Sequence, residues 1–178
     1  MAQQTNSNAK LRSLCYTALM IALVFIFTFT FKIPLGSGYA HLGDMFIIVS
    51  AWLLGTKRAP IAAALGASLA DLAGGYAIWI LPTFLVKFAM ALTICLIAEK
   101  IFHQSKTGYV VGCIVGAIVH IIGYEIAYYF ILGGMGGVIA AFVPLLLQTV
   151  VGLVLGLTVV TVLSANKAGQ RLKAAATN

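Results

Sequence analysis

The chain has 178 residues, 62% of them hydrophobic and 8% charged, and a mean hydropathy of +1.06. Soluble domains carry about a quarter charged residues, so this composition excludes a large soluble domain as well as a disordered or fibrous chain. The formal charge of +7 does not point to nucleic acid, because the basic residues gather between apolar runs and mark topology instead.

At about 20 residues per crossing with short loops, the length accommodates six membrane helices. Residues 1–9 read as a polar tail, and the first helix is expected over residues 11–31, an apolar stretch too long for a signal-peptide core. The following segment, residues 32–41 from Lys32 to His41, carries turn residues and no helical pattern, and reads as a structured outer loop. Helix 2 is expected from residues 42–44 to Gly55, short for a full crossing. Helix 3 starts at Pro60, a favourable first-turn position, and ends near Gly74 or Tyr76. Helix 4 is expected over residues 82–102, helix 5 over 108–132 and helix 6 over 138–163, with Pro144 able to kink the last.

Lys10 and Arg12, Lys57 and Arg58, Lys100 and Lys106, and Lys167, Arg171 and Lys173 occupy alternate connections. By the positive-inside rule both termini and two loops are expected in the cytoplasm. The expected fold class is an all-α membrane protein, a compact bundle of six transmembrane helices over residues 10–165. It is flanked by cytoplasmic tails at 1–9 and 166–178. Small-xxx-small spacings recur at Ala18/Ala22, Ala63/Ala67, Gly66/Ala70, Gly108/Gly112/Gly116 and Gly152/Gly156, and read as close helix packing. Cys15, Cys95 and Cys113 are too widely spaced for a redox pair or a metal set and read as packing residues.

Ionisable residues inside a bilayer are costly and each asks for a partner or a function. At ~1.5 Å per residue, Asp71 and His120 lie roughly 18 Å from the cytoplasmic helix starts and Glu125 roughly 25 Å. Counted from the outer side, Asp44 is near the surface, Lys87 about one and a half turns deep and Gln148 about three turns deep. These polar groups favour the outer half, which implies a polar cavity open to the outside. On helix 5, His120, Tyr124, Glu125, Tyr128 and Tyr129 fan across one half of the circumference. With Tyr39, Tyr76, Trp79, Phe84 and Phe142 near the same face, the rings suit a planar heterocycle whose edges carboxylates and amines fix.

Structural alternatives stand beside each residue: Asp44 as a helix cap, Asp71 with Lys87 as an ion pair, His120 as a neutral core residue, Tyr128 and Tyr129 as an interfacial belt. Ser68, Asp71 and His120 contain the residue types of a hydrolase triad without a nucleophile elbow. His41 and Asp44 lack a third metal ligand nearby. The Gly133-Gly134-Met135-Gly136-Gly137 run lacks the ending of a phosphate loop, and no Walker motif is present. The expectation is therefore no catalytic residue, no metal, no cofactor and no enzyme.

The outer loop Tyr39-Ala40-His41-Leu42-Gly43-Asp44 and the helix 3 stretch Leu69-Ala70-Asp71-Leu72-Ala73-Gly74-Gly75-Tyr76, in a small six-helix chain with an alanine-bearing first helix, resemble the S components of energy-coupling factor (ECF) vitamin transporters. The resemblance covers nearly the whole chain and is strongest to the riboflavin, hydroxymethylpyrimidine and pyridoxine branch. It implies a cell-membrane capture subunit that works with a transmembrane coupling subunit, the T component, and two cytoplasmic ATPases. It also implies that Ala18 and Ala22 dock the coupling subunit, that the loop between helices 1 and 2 is a lid, and that the chain topples in the membrane during transport.

The substrate-binding set expected here is Tyr39, His41, Asp44, Asp71, Tyr76, Trp79, Lys87, His120, Tyr124, Glu125, Tyr128 and Gln148. Its carboxylates disfavour a polyanion and favour hydroxymethylpyrimidine or a pyridoxine-type vitamer, with riboflavin as the alternative. A proton-coupled secondary carrier is the competing class, though the internal repeat such folds show is not evident.

Overall fold

A computed structural model describes residues 2–35 and 38–177. The side chains of 2–8, 32, 34, 35, 38 and 39 lie outside the described part. The described residues are helical apart from one hairpin and short connections. In order, α1 spans Ala2–Phe29, β1 Lys32–Leu35, β2 Gly38–His41, α2 Gly43–Leu54, α3 Ala59–Ala73, α4 Ile80–Leu96, α5 Lys106–Ile131, α6 Met135–Ala165 and α7 Lys167–Thr177.

Local chemistry fixes several boundaries. Pro60 sits in the first turn of α3, where its missing N–H is no loss. Ser105 caps α5 by accepting from the Gly108 N–H at 3.0 Å. A 3-10 turn at Ala77–Trp79 leads into α4, and a π-helical turn at Ile97–Ile101 ends it, closed by Phe102 N–H donating to Ile97 O at 3.1 Å. Helix α6 runs unbroken through Pro144.

Among the described residues, four stretches are long and apolar enough to cross a membrane: Ala9–Phe29, Ala77–Ile101, Lys106–Ile131 and Met135–Ala165. Helices α2 and α3, with 12 and 15 residues, rise only about 18 and 22 Å. The shortness of α2 is compatible with its burial, because it has almost no exposed surface and touches α1, α3, α4, α6 and α7. Neighbour contacts close a ring of helices in the order α1, α3, α4, α5, α6, α2 and back to α1.

Ile47, Ile48, Trp52, Met90, Ile94 and Cys113 form the centre of the packed core. Large apolar residues such as Leu19, Ile118, Ile122, Ile126, Leu147 and Val154 stand on the outside. Apolar surface on both the inside and the outside is the signature of a chain whose solvent is lipid.

Glycines set the closest helix approaches. A Cβ at Gly66 would lie 2.7 Å from the Ile21 carbonyl oxygen of α1. One at Gly112 would lie 2.8 Å from the Ile94 carbonyl oxygen of α4, and one at Gly156 2.8 Å from Ile48 Cβ of α2. The expected small-residue packing at these positions is present.

Two elements depart from the sequence expectation. The outer loop is an antiparallel hairpin in which Lys32 pairs with His41 and Ile33 with Ala40. The basic segment after residue 166 is helical: α7 turns Gly169, Leu172 and Ala176 onto the bundle and leaves Lys167 and Arg171 exposed. The first helix also begins earlier than expected, at Ala2.

Candidate functional site

Four helices meet at a buried polar cluster. Asp44 lies in the first turn of α2, where a carboxylate is favoured by the helix dipole. It is not the cap, however: Leu42 holds that position without a side-chain bond. The Asp44 carboxylate turns inward. Gly152 on α6 makes the space, since a Cβ there would be 2.7 Å from Asp44 Cβ.

Lys87 Nζ donates to Asp44 Oδ1 at 2.5 Å and lies 2.9 Å from His120 Nε2. Gln148 Nε2 donates to Asp44 Oδ2 at 2.8 Å, and His120 Nδ1 is 3.0 Å from Thr149 Oγ1. Lys87 and His120 are 0% exposed and Asp44 1%, so these groups have exchanged water for one another. Ion pairs survive such burial only when their remaining hydrogen-bonding capacity is also used. Asp44 and Lys87 cancel in charge, which leaves the buried cluster net neutral.

Aromatic rings border this cluster. The Tyr124 and His120 rings are perpendicular with centroids 5.0 Å apart, and Lys87 Nζ is 5.2 Å from the Tyr124 centroid. The Tyr124 hydroxyl donates to Thr83 Oγ1 at 3.0 Å. Trp79, half-buried, packs against Tyr128 at 4.8 Å and Tyr124 at 6.4 Å. Hairpin strand β2 ends beside the cluster, where His41 Nδ1 accepts the Gly43 N–H at 3.2 Å.

Of the twelve expected binding residues, Asp44, Lys87, His120 and Gln148 form one connected network, and Trp79, Tyr124 and Tyr128 form the adjoining ring cluster. Asp71 is buried on α3 within electrostatic reach of Lys87 and Tyr124. The ion pair of Lys87 is nonetheless with Asp44 and not with Asp71. Tyr76 is 39% exposed. Glu125 is half-buried, and neither carboxylate oxygen has a hydrogen-bond partner. The side chain of Tyr39 lies outside the described part.

No triad geometry links Ser68 to His120, since Ser68 Oγ donates to Ile80 O at 3.2 Å and both ring nitrogens of His120 face other groups. Thr83 and Thr149 complete the site but were not expected. Their signal was position: Thr83 stands one turn before Lys87, and Thr149 follows Gln148.

A second polar cluster occupies the other end of α2, about 17 Å along its axis. Glu99 accepts from Thr56 N–H at 3.0 Å and from Thr56 Oγ1 at 2.5 Å, and Arg58 Nη1 donates to Ala176 O at 2.9 Å. Lys173 Nζ sits 5.1 Å from the Trp52 ring centroid, beside a cavity of about 320 Å³ that Tyr109 also lines. Burial holds the Lys173 ammonium below the usual lysine range, while the Glu99 carboxylate works in the opposite direction.

Ala18 and Ala22 are exposed on α1. They line an apolar surface groove of about 540 Å³ with Ile21, Phe25, Leu69, Leu72 and Ala73.

Comparison with known proteins places the chain in a family. A protein of Pyrococcus woesei described as "Uncharacterized protein in gap 3'region" is 32% identical over 128 residues, covering 70% of this chain and 81% of that protein. Residues 8–166 match the family model described as ECF-type riboflavin transporter, S component. The chain therefore belongs to the S components of ECF-type transporters, a family of transporter subunits and not of enzymes, and is a multi-pass integral protein of the cell membrane.

Proposed function

We propose that the chain captures a small hydroxylated nitrogen heterocycle, hydroxymethylpyrimidine or a pyridoxine-type B6 vitamer, from outside the cell. The observation that carries this reading is the buried Asp44–Lys87–His120–Gln148 cluster with Trp79, Tyr124 and Tyr128 beside it. A net-neutral hydrogen-bonding group suits a neutral cargo with hydroxyls and ring nitrogens, and the rings supply stacking area. Asp71 and Glu125 add negative charge, which disfavours a phosphorylated or polycarboxylate cargo and favours a protonatable ring.

In this reading six helices cross the membrane with both termini in the cytoplasm, residues 10–165 form the membrane domain, and the β1–β2 hairpin covers the site. ECF S components work with a T component and ATPases. The groove at Ala18 and Ala22 supports the assignment of this face to the T component, because small residues permit close helix approach.

Riboflavin is the second reading, favoured by the description of the matching family. Its tricyclic ring would stack on Trp79 and Tyr128. Equilibrium binding to the purified chain in detergent separates the two, using pyridoxine, hydroxymethylpyrimidine and riboflavin in turn. The expected result is saturable binding of a one-ring compound, weakened at least about tenfold by Trp79→Ala through lost ring contact. Exclusive binding of riboflavin would select the second reading, and binding of none of the three would contradict both.

A further inference from the structure

His120 is fully buried, so the position of its proton is dictated by its neighbours. A lysine ammonium carries donors and no acceptor. Lys87 Nζ is 2.9 Å from Nε2, which makes Nε2 the bare, accepting nitrogen. The proton of the neutral ring is then on Nδ1, 3.0 Å from Thr149 Oγ1. That hydroxyl spends its own proton on Leu145 O at 2.7 Å and keeps its lone pairs for the ring.

Donation therefore runs in one direction on the Nδ1 side, from His120 to Thr149 to Leu145, and Nε2 is left to receive from Lys87. A doubly protonated ring would point an N–H at the ammonium. Two neighbours of the ring do not alter this order: Asp44 Oδ2 is 3.8 Å from Nε2, and the Tyr124 ring lies perpendicular to the imidazole.

We propose that Thr149 is a positioning residue that holds His120 as the Nδ1–H tautomer, so that Nε2 accepts from Lys87 and the ammonium stays seated against Asp44. Nothing in the residue type of Thr149 alone marks it, because a membrane-helix threonine commonly bonds only to its own helix. Here the same oxygen also meets an imidazole nitrogen. Replacing it with valine keeps the shape and strands the Nδ1–H in an interior without an acceptor. Relief by moving the proton to Nε2 sets that N–H against Lys87 and loosens the ammonium from the cluster.

The tautomer assignment rests on geometry alone, whereas its effect on cargo rests on the capture reading above. The test uses the full chain in detergent with ¹⁵N-labelled histidine, of which the sequence has three, the His120 signals being identified from those that His120→Asn removes. The wild type is expected to show a protonated Nδ1 and a bare Nε2. Thr149→Val is expected to move both signals toward averaged or exchanged values and to weaken pyridoxine binding about tenfold, the effect of one unsatisfied buried donor. Thr149→Ser, which keeps the hydroxyl, is expected to restore both the signals and the affinity.

A wild-type proton on Nε2, unchanged ring signals in Thr149→Val, or failure of Thr149→Ser to restore them would overturn the proposal. Normal ring behaviour with no binding of pyridoxine, hydroxymethylpyrimidine or riboflavin would uphold the positioning role and remove the cargo reading. Vitamin binding with the proton on Nε2 would do the reverse.

Discussion

Lys87→Met removes the only cation of the buried cluster while keeping an unbranched side chain of similar reach. Asp44 Oδ1 loses its 2.5 Å partner, Nε2 of His120 loses its 2.9 Å donor, and Asp44 retains the amide of Gln148. Breaking a fully buried pair from one side costs about 3–5 kcal/mol, since an uncompensated charge remains. For a chain of this size about 2–4 °C accompanies each kcal/mol, so the midpoint of thermal unfolding should fall by roughly 6–20 °C. The assay is thermal unfolding in detergent followed by Trp52 and Trp79 fluorescence. Asp44→Asn combined with Lys87→Met removes both charges and should be less destabilised than the sum of the single variants by about 1–3 kcal/mol. A Lys87→Met midpoint within about 2 °C of wild type, or strict additivity in the double variant, would refute the claim that these charges sustain each other.

Gly152→Ala drives a Cβ to 2.7 Å from Asp44 Cβ. Overpacking of this kind costs about 1–3 kcal/mol and should lower both thermal stability and vitamin affinity. Gly136→Ala, where an added Cβ meets nothing within 4 Å, should leave both unchanged in the same assays. Because the folded-state pKa of Lys173 is depressed by burial, the unfolded chain holds more protons between that value and 10.5. Stability should rise with pH across that window, and Lys173→Met should flatten the dependence in thermal scans. Leucine at both Ala18 and Ala22 fills the α1–α3 groove without reaching the polar cluster. Vitamin binding should survive while co-purification with the T component and ATPases is lost; retained assembly with lost binding would reverse that assignment.

The helices were legible because lipid demands long apolar runs, and even the short α2 and α3 stood out between basic loops and turn residues. The hairpin was not. Strands of four residues are too short for an alternating pattern to register, and only pairing across the turn defines them. Helix α7 was hidden for a different reason: its three basic residues and short length read as a polar tail, while its packed face consists of Gly169, Leu172 and Ala176. Those three positions at helical spacing were readable only once a surface existed to receive them. The π turn at Ile97–Ile101 also escaped notice, since its i to i+5 bond leaves no mark in residue type.

For the site, the cost of burying charge singled out Asp44, Lys87 and His120 before their contacts were known. Which acid pairs with which base was not encoded in depth along a helix. Lys87 had Asp71 on the neighbouring helix as its sequence-level partner, yet the approach of α6 at Gly152 and the central place of α2 bring Asp44 to it. Thr83 and Thr149 were missed because hydroxyls are common in membrane helices and gain meaning only from the ring or phenol they touch.

The central claim is that this chain by itself captures a vitamin. Native mass spectrometry with small-molecule extraction tests it on the chain purified alone from cells supplied with mixed vitamins. One co-purifying pyridoxine-like or pyrimidine compound per chain is expected, lost when the Asp44–Lys87 cluster is disrupted. A chain that carries no small molecule, and still binds none when individual vitamins are titrated in, would contradict it.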